Sequence, residues 1–417
     1  MDYKNMIGFD NNNKAIDCLI KVIGVGGGGG NAVNHMYEEG IEHVNFALCN
    51  TDGQVLMKSA IPQKLQIGSG LGAGGDPDKG EKIANDSLDD IHDLLDDGTQ
   101  MAFITATMGG GTGTGAGPIV AKVAKEMGIL TVGIVTIPFL FEGMFKIRQA
   151  LNGVDNMAKN VDALLVINNE RLRLIYSDLE FDNAFKKADD TLTVAAKSIV
   201  DMINATGEMN IDFADVSNTL KDGGVAIITT GYASGEGRVQ KAIDNALHSP
   251  LLNSTDVYHA KKMCLHLAIS HKANFMMEEM NAIHQFMNHF NKNIRFIWGW
   301  AFDDTFDDDI KITILASGFG VKDIDVIDEA NNSEPEEVDD PRIRDAYGPL
   351  LAGDSARGHK KRYIHIFTED ELNDDDVISV IDSSPTYDRD INATRSLGKN
   401  NVQKQQRQAD TSNVITF

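Results

Sequence analysis

Three short stretches concentrate glycine where an apolar run gives way to a helical one: "GVGGGGGNAV" (24–33), "IGSGLGAGGDP" (67–77) and "TATMGGGTGTGAGP" (105–118). Glycine gives up more backbone freedom on folding than any other residue, so clusters like these need a compensating reason. A phosphate chain supplies one. Without a Cβ, main-chain N–H groups approach phosphate oxygens directly, and a following helix adds its free N–H groups and the positive end of its dipole. One such turn holds one or two phosphates. Two facing one crevice hold a triphosphate, with Thr112 and Thr114 adding hydroxyl donors. None of the stretches contains the Gly-Lys-Ser/Thr of a P-loop. The first also satisfies the dinucleotide pattern Gly24-x-Gly26-x-x-Gly29, with Asp52 at a second strand end. That pattern keeps a nicotinamide-dependent oxidoreductase open as a second reading. The second glycine loop argues against it, because a dinucleotide enzyme has no use for that loop.

These loops need elements to hold them. From Asp17 to about Ala205, apolar β-branched runs ("CLIKVIGV", "VNFALCN", "MAFITAT", "LTVGIVTIP", "ALLVIN") alternate with helical segments. That order predicts an α/β fold, a parallel sheet covered on both faces. "PIVAKVAKEMG" reads as a helix with Pro118 near its first turn, where proline is tolerated. "DDTLTVAAKSIVDMINATG" reads as a long central helix, about 189–205, with Gly207 as its C-cap. A second, smaller α+β set follows Gly223 ("VAIITTG", "MCLHLAIS", "IRFIWGWAF", "IKITILASGF"). Between its strands, Met276, Met280, Ile283 and Met287 fall on one helical face, read as core packing. The expected division is a 1–16 N-terminal extension, a 17–205 nucleotide-binding domain, a 206–320 second domain, and a 321–417 linker and tail. The start of that tail, "DIDVIDEANNSEPEEVDDP", is acidic and poor in aromatics, the composition of a disordered linker.

The bulk properties narrow the partners. The 417 residues carry a formal net charge of −24 and are 42% hydrophobic. Clustered Lys and Arg, which nucleic acid and anionic membranes require, are not the theme of this chain, so we expect no nucleic-acid partner. The N-terminal stretch has no apolar signal segment and no apolar run reaches membrane-spanning length, so we expect a cytoplasmic protein with no direct membrane insertion. The three widely spaced cysteines, Cys18, Cys49 and Cys264, read as reduced core thiols.

"GGGTGTGA" resembles the signature of the tubulin/FtsZ superfamily of GTP-dependent filament proteins. "IKVIGVGGGGGNAV", "NTD" (Asn50–Asp52), "GILTVGIVTIPFLFEG", "MNIDFADV" and "GYASGEGRVQKAI…SPLL" are similar, in order and spacing, to the bacterial division branch of that superfamily. The resemblance spans roughly residues 15 to 320. It implies GTP and GDP as ligands, with Mg²⁺ carried by the phosphates rather than by protein ligands. It places phosphates on Gly27, Gly28, Gly29 and Gly30 and on Gly109, Gly110, Gly111, Thr112, Gly113, Thr114 and Gly115. It places Asn31 at the guanine edge, Asn50 and Lys146 within the nucleotide site, Glu142 on the ribose hydroxyls, and Phe185 on the base. Asp190, or its neighbour Asp189, reads guanine, because one carboxylate accepts from both N1–H and N2–H₂. Asn210, Asp212 and Asp215 match the loop that completes the active site of a neighbouring subunit. The implied activity is GTP hydrolysis in head-to-tail filaments of this chain at a mid-cell division ring, with the tail reaching membrane tethers. A filament protein with weak or lost hydrolysis is the alternative within the family.

The chain also departs from the family pattern. Lys146 stands where Arg is usual, with Arg148 two residues on, and Lys lacks the planar bidentate fork. Lys186 and Lys187 replace small residues beside the base, and the loop 67–77 is shorter than usual. The end "TSNVITF" is a poor copy of the family's docking peptide, which leaves "YIHIFTEDELNDDDVISVID" as the candidate docking segment.

Overall fold

The computed structural model describes residues 19–176, 181–205, 207–248, 257–291, 293–306 and 309–319, and four residues further on, 342, 343, 346 and 347. In chain order the elements are β1 (Ile20–Val25), α1 (Gly26–Glu38), β2 (Val44–Asn50), α2 (Gly53–Lys58), β3 (Gln63–Gln66), α3 (Pro77–Asn85), α4 (Leu88–Leu95), β4 (Met101–Thr107), α5 (Thr112–Glu126), β5 (Leu130–Ile137), α6 (Met144–Asn160), β6 (Ala163–Asn168), α7 (Asn169–Ile175), α8 (Phe181–Asn204), α9 (Phe213–Leu220), β7 (Gly224–Ala233), α10 (Arg238–Leu247), β8 (Lys262–Ile269), α11 (Met280–Met287), β9 (Arg295–Phe302) and β10 (Ile310–Phe319).

The strands form one ten-stranded sheet in the order β3-β2-β1-β4-β5-β6-β7-β10-β8-β9. From β3 to β7 every pairing is parallel. β10 lies antiparallel to both β7 and β8, and β8 pairs with β9 in parallel. The junction between halves is thin: β6 and β7 share only the register pairs Ala163↔Gly224 and Leu164↔Val225. The central strands β1 and β5 are buried along their whole length, and β4 up to its last residue, as an apolar strand covered on both faces must be. Lys21, the second residue of β1, is tolerated because its ammonium reaches Leu94 O at 2.5 Å and Asp97 Oδ2 at 2.6 Å.

Helix α8 runs 24 residues and starts well before the span expected from sequence, so Phe185, Asp189 and Asp190 lie within its first turns. Its buried stripe, Ala188, Leu192, Ala195, Ala196 and Ile199, repeats at helical spacing and joins the main core. The helix ends at Asn204, so Gly207 does not cap it. Gly207 is needed for a different reason: a Cβ there would lie 2.4 Å from the Trp300 carbonyl oxygen on β9. Pro118 also shifts in meaning. Helix α5 begins at Thr112, so "TGTGAG" forms its first turns and Pro118 falls inside the helix. On the other half of the sheet, Met280, Ile283 and Met287 do pack into the core. Met276 does not; it precedes the helix and is 64% exposed, because the chain makes a short 3₁₀ turn at Met277–Glu279 before α11 starts. Cys49 and Cys264 are free and buried, and burial pushes the Cys49 thiol up to about 12. Cys18 and the proposed docking segment in the tail lie outside the described residues.

Candidate functional site

Strand order reverses between β1 and β4: the chain leaves β1 toward β2 and β3 on one side, then returns to β4 on the other. Ligands of open parallel sheets bind at the carboxyl ends of the strands flanking such a reversal. Both main glycine loops are there. Gly26–Gly30 form the first turn of α1, and Gly109–Gly111 lead into α5. No side chain caps either helix start, so their N–H groups face the crevice.

The loops are built against each other. Gly26 adopts φ +77°, and a Cβ on it would lie 2.8 Å from Gly113 N. Gly109 adopts φ +100°, a left-handed conformation that side chains resist, and its N–H donates to Thr114 Oγ1 at 2.9 Å. Thr112 Oγ1 lies 2.6 Å from Thr51 Oγ1, which ties α5 to the end of β2. Two glycines are not explained by protein packing. At Gly27 and Gly110 φ is not left-handed, and a Cβ would meet no protein atom within 4 Å. Glycine at these positions fits a cradle that a phosphate chain fills.

The third loop, 67–77, folds over the second. Gly53 N donates to Gly70 O and Gly72 N to Thr51 O, and Gly111 has no room for a Cβ because Asp76 N would be 2.8 Å away. Gln149, which sequence reading missed, clasps the two: its Nε2 lies 3.1 Å from Gly75 O, 3.1 Å from Gly109 O and 3.2 Å from Gly110 O. Asp52 is occupied as the N-cap of α2, accepting from Gln54 N and Val55 N. That gives the acid on which the oxidoreductase reading rested a structural role. Asn50 is buried beside it and accepts from Asp52 N, while Asn31 is exposed on α1.

Of the residues expected at the base, Phe185 packs edge-on against Phe139 at 5.2 Å. Asp190 Oδ1 lies 2.7 Å from His35 Nε2 on α1, and Asp190 Oδ2 lies 3.4 Å from Lys187 Nζ. The sequence carried no sign of the His35 partnership. Lys187 also sits 4.9 Å over the Tyr176 ring, while Lys186 is exposed. Asp189 is half-buried and pushed up to about 6, first by burial, with the Asp190 charge adding and His35 opposing. Glu142 accepts from Phe139 N at 2.8 Å through one oxygen and binds Lys146 Nζ at 2.5 Å through the other. Lys146 is therefore turned onto Glu142, a single contact where an arginine would make a fork.

Asn210, Asp212 and Asp215 lie elsewhere. They follow α8, and α8 carries Asp190 near its start. The fourteen residues from Asp190 to Asn204 span roughly 21 Å at the helical rise. Asp212 and Asp215 form the capping box of α9: Asp215 N donates to Asp212 Oδ1 at 2.9 Å, and Asp212 N to Asp215 Oδ2 at 3.3 Å. Asn210 Oδ1 accepts from Gly207 N at 2.6 Å. The loop is pinned to the sheet where Trp300 N donates to Met209 O. Asn210 and Asp212 are exposed.

Facing glycine loops at the strand reversal, joined by one long helix to a second half that carries an exposed acid loop, are the arrangement expected of the tubulin-like class of GTPases. The family model described as the GTPase domain of the Tubulin/FtsZ family matches residues 19–177. Those for the C-terminal domain of the FtsZ family and for a further FtsZ C-terminal segment match residues 224–320 and 359–403. The chain is 45% identical over 402 residues to the cell division protein FtsZ of Porphyromonas gingivalis, covering 92% of this chain and 88% of that one. It is 41% identical over 309 residues to that of Aquifex aeolicus, covering 72% and 83%. Among solved structures, an empty FtsZ dimer from M. jannaschii superposes with a TM-score of 0.65 at 36% identity, covering 72% of this chain and 88% of that one. CetZ2 from Haloferax volcanii, at 18% identity and a TM-score of 0.63 over 81% of this chain and 99% of that one, shares the fold. The chain belongs to the FtsZ family, and its first half is a GTPase domain.

Proposed function

We propose that this FtsZ-family chain is a filament-forming GTPase of cell division whose hydrolytic site is completed only when a second copy stacks on the first. The carrying observation is the separation along α8: the glycine crevice and base pocket are at its start, and Asn210, Asp212 and Asp215 are beyond its end. One chain therefore holds two halves of a site that do not meet. A head-to-tail contact, which does not close on itself, brings one copy's acids to the next copy's nucleotide and repeats into a filament. The solution of an M. jannaschii relative as a dimer supports self-association.

In this reading the α1 and α5 N-termini and the glycine cradle bind the phosphates, Glu142 takes the ribose hydroxyls, and Phe185 with Asp190 takes guanine. Asp212 and Asp215 accept hydrogen bonds from a water and orient it toward the γ-phosphate, with Asn210 shaping the same loop. Mg²⁺, when bound through the phosphates, neutralises their oxygens. Residues 17–205 form the nucleotide half, 206–320 the acid loop and second half, and 321–417 the linker and tail. No helix among the described residues is long and apolar enough to cross a membrane. Placement at a cytoplasmic mid-cell ring is therefore read as working through membrane tethers. Their docking segment is "YIHIFTEDELNDDDVISVID", inside the span matched at 359–403.

GTP turnover per subunit, measured with Mg²⁺ against protein concentration, tests this. The expected result is near-zero turnover in dilute solution, a rise above a threshold, and loss of at least a hundredfold in Asp212→Ala, the scale of removing a positioned water-activating group. Turnover independent of concentration, or retained in the variant, means the site is complete in one chain.

A further inference from the structure

The four residues described beyond β10 are helical and sit against the nucleotide half. Ile343 and Tyr347, one turn apart, are fully buried. The Tyr347 hydroxyl donates to Pro138 O at 2.6 Å, Asn168 Nδ2 donates to Ala346 O at 2.7 Å, and the Arg342 guanidinium donates to Asn152 Oδ1 at 2.9 Å and Asp155 Oδ2 at 2.7 Å on α6.

These contacts converge on one loop. Pro138 opens the turn that carries Phe139 and Glu142 and leads into α6 with Lys146. The other side of that turn is held by buried Glu170, whose Oε2 accepts from Leu140 N at 2.9 Å. Asn168, which grips Ala346 through its amide nitrogen, caps α7 through its oxygen by accepting from Glu170 N at 2.9 Å. Burial first, then the carboxylates of Glu142 and Glu170, hold the Tyr347 hydroxyl well above the usual tyrosine range, so it stays protonated as a donor. A buried hydroxyl needs its acceptor, and the loop carbonyl supplies it.

We propose that the segment bearing Arg342, Ile343, Ala346 and Tyr347 is a docked brace on the GTPase domain, and that Tyr347 is a positioning residue that holds the 138–146 loop, and with it Glu142, in its nucleotide-binding geometry. The proposal rests on the reading of Glu142 as the ribose ligand. It assigns part of the nucleotide site to a stretch whose composition reads as linker. Because the brace precedes residues 351–417 in the chain, whatever pulls it from its seat loosens the hold on nucleotide.

The test uses the full-length chain with Mg²⁺ and a fluorescent guanine diphosphate. Release is followed below the assembly threshold, and KM and kcat for GTP are measured above it. In Tyr347→Ala and Arg342→Ala, release is expected to be roughly three- to tenfold faster, the effect of one lost buried hydrogen bond. KM rises by the same factor while kcat at saturating GTP stays within about twofold, a split that general destabilisation does not produce. Tyr347→Phe, which keeps the ring and loses only the hydroxyl, gives the smaller end of that range and decides the matter if Tyr347→Ala does not fold. Glu142→Gln separates the two readings. If it accelerates release while the brace variants do not, the brace proposal is wrong and the ribose reading stands. If it leaves release unchanged, the ribose reading fails and the proposal falls with it.

Discussion

The residues proposed to hold the base do not act singly. Asp190 is held between His35 and Lys187, so in the proposed reading its carboxylate is aimed before guanine arrives. Asp190→Asn should cost GTP binding at least tenfold, the scale of a charge-assisted hydrogen bond. It should also erase the preference for GTP over inosine triphosphate, which lacks the N2 amine, in a competition assay. Asp189 behaves differently. Burial raises its folded pKa to about 6, above the ordinary carboxylate value, so the native state binds that proton more tightly than the unfolded chain. Its contribution to stability is therefore fully present below about pH 4 and is lost as pH rises through 6. Asp189→Asn should then stabilise the protein by about 1 kcal/mol at pH 7.5 and by almost nothing at pH 4.5, discounting for partial exposure. Denaturant melts at the two pH values check this; equal effects at both would show that Asp189 carries no raised pKa.

At the scale of elements, the glycines separate into two groups that a sequence cannot distinguish. Gly115 on α5 packs against α3 so closely that a Cβ would lie 2.1 Å from Pro77 O and 2.6 Å from Glu81 N. Gly115→Ala should therefore cost about 1–3 kcal/mol of stability through overpacking. Gly27, also helical, has open space around its Cβ position. Gly27→Ala should leave melting unchanged or slightly raised, since alanine is the better helix former by about 1 kcal/mol, yet weaken GTP binding at least tenfold. Thermal melts paired with nucleotide titration of both variants test the distinction. A Gly27→Ala chain that binds GTP normally would remove the cradle argument.

At the scale of the whole molecule, a split site makes a prediction that no single-chain enzyme shares. Asp212→Ala retains its nucleotide crevice, and Gly27→Ala retains its acid loop. Mixed in equal amounts at GTP concentrations well below the Kd of Gly27→Ala, the two should regain turnover, on the order of a quarter of wild type if contacts form at random, although each alone is nearly inactive there. No recovery on mixing, with both chains shown to co-assemble by sedimentation, counts against catalysis between subunits. Large apolar side chains lie exposed at Leu71 on the 67–77 loop, at Phe145 in the first turn of α6, and at Met209 on the acid loop.

The sequence by itself determined the family and where its glycine loops fall. Phosphate binding by backbone demands glycine at short, fixed spacings next to a strand end, and that demand is written locally in 24–33 and 105–118. The parallel strands were legible for the same reason, as apolar runs buried on both faces. Tertiary structure alone decided what touches the nucleotide loops from a distance. His35 meets Asp190, Gln149 clasps Gly75 to Gly109 and Gly110, and Tyr347 reaches Pro138. Local pattern carries no record of such pairs, because their partners are brought together only by the closing of the sheet. Met276 and Gly207 were misread for a related reason: helical spacing fixes which residues share a face, while the packing of neighbouring strands fixes where the helix starts and stops.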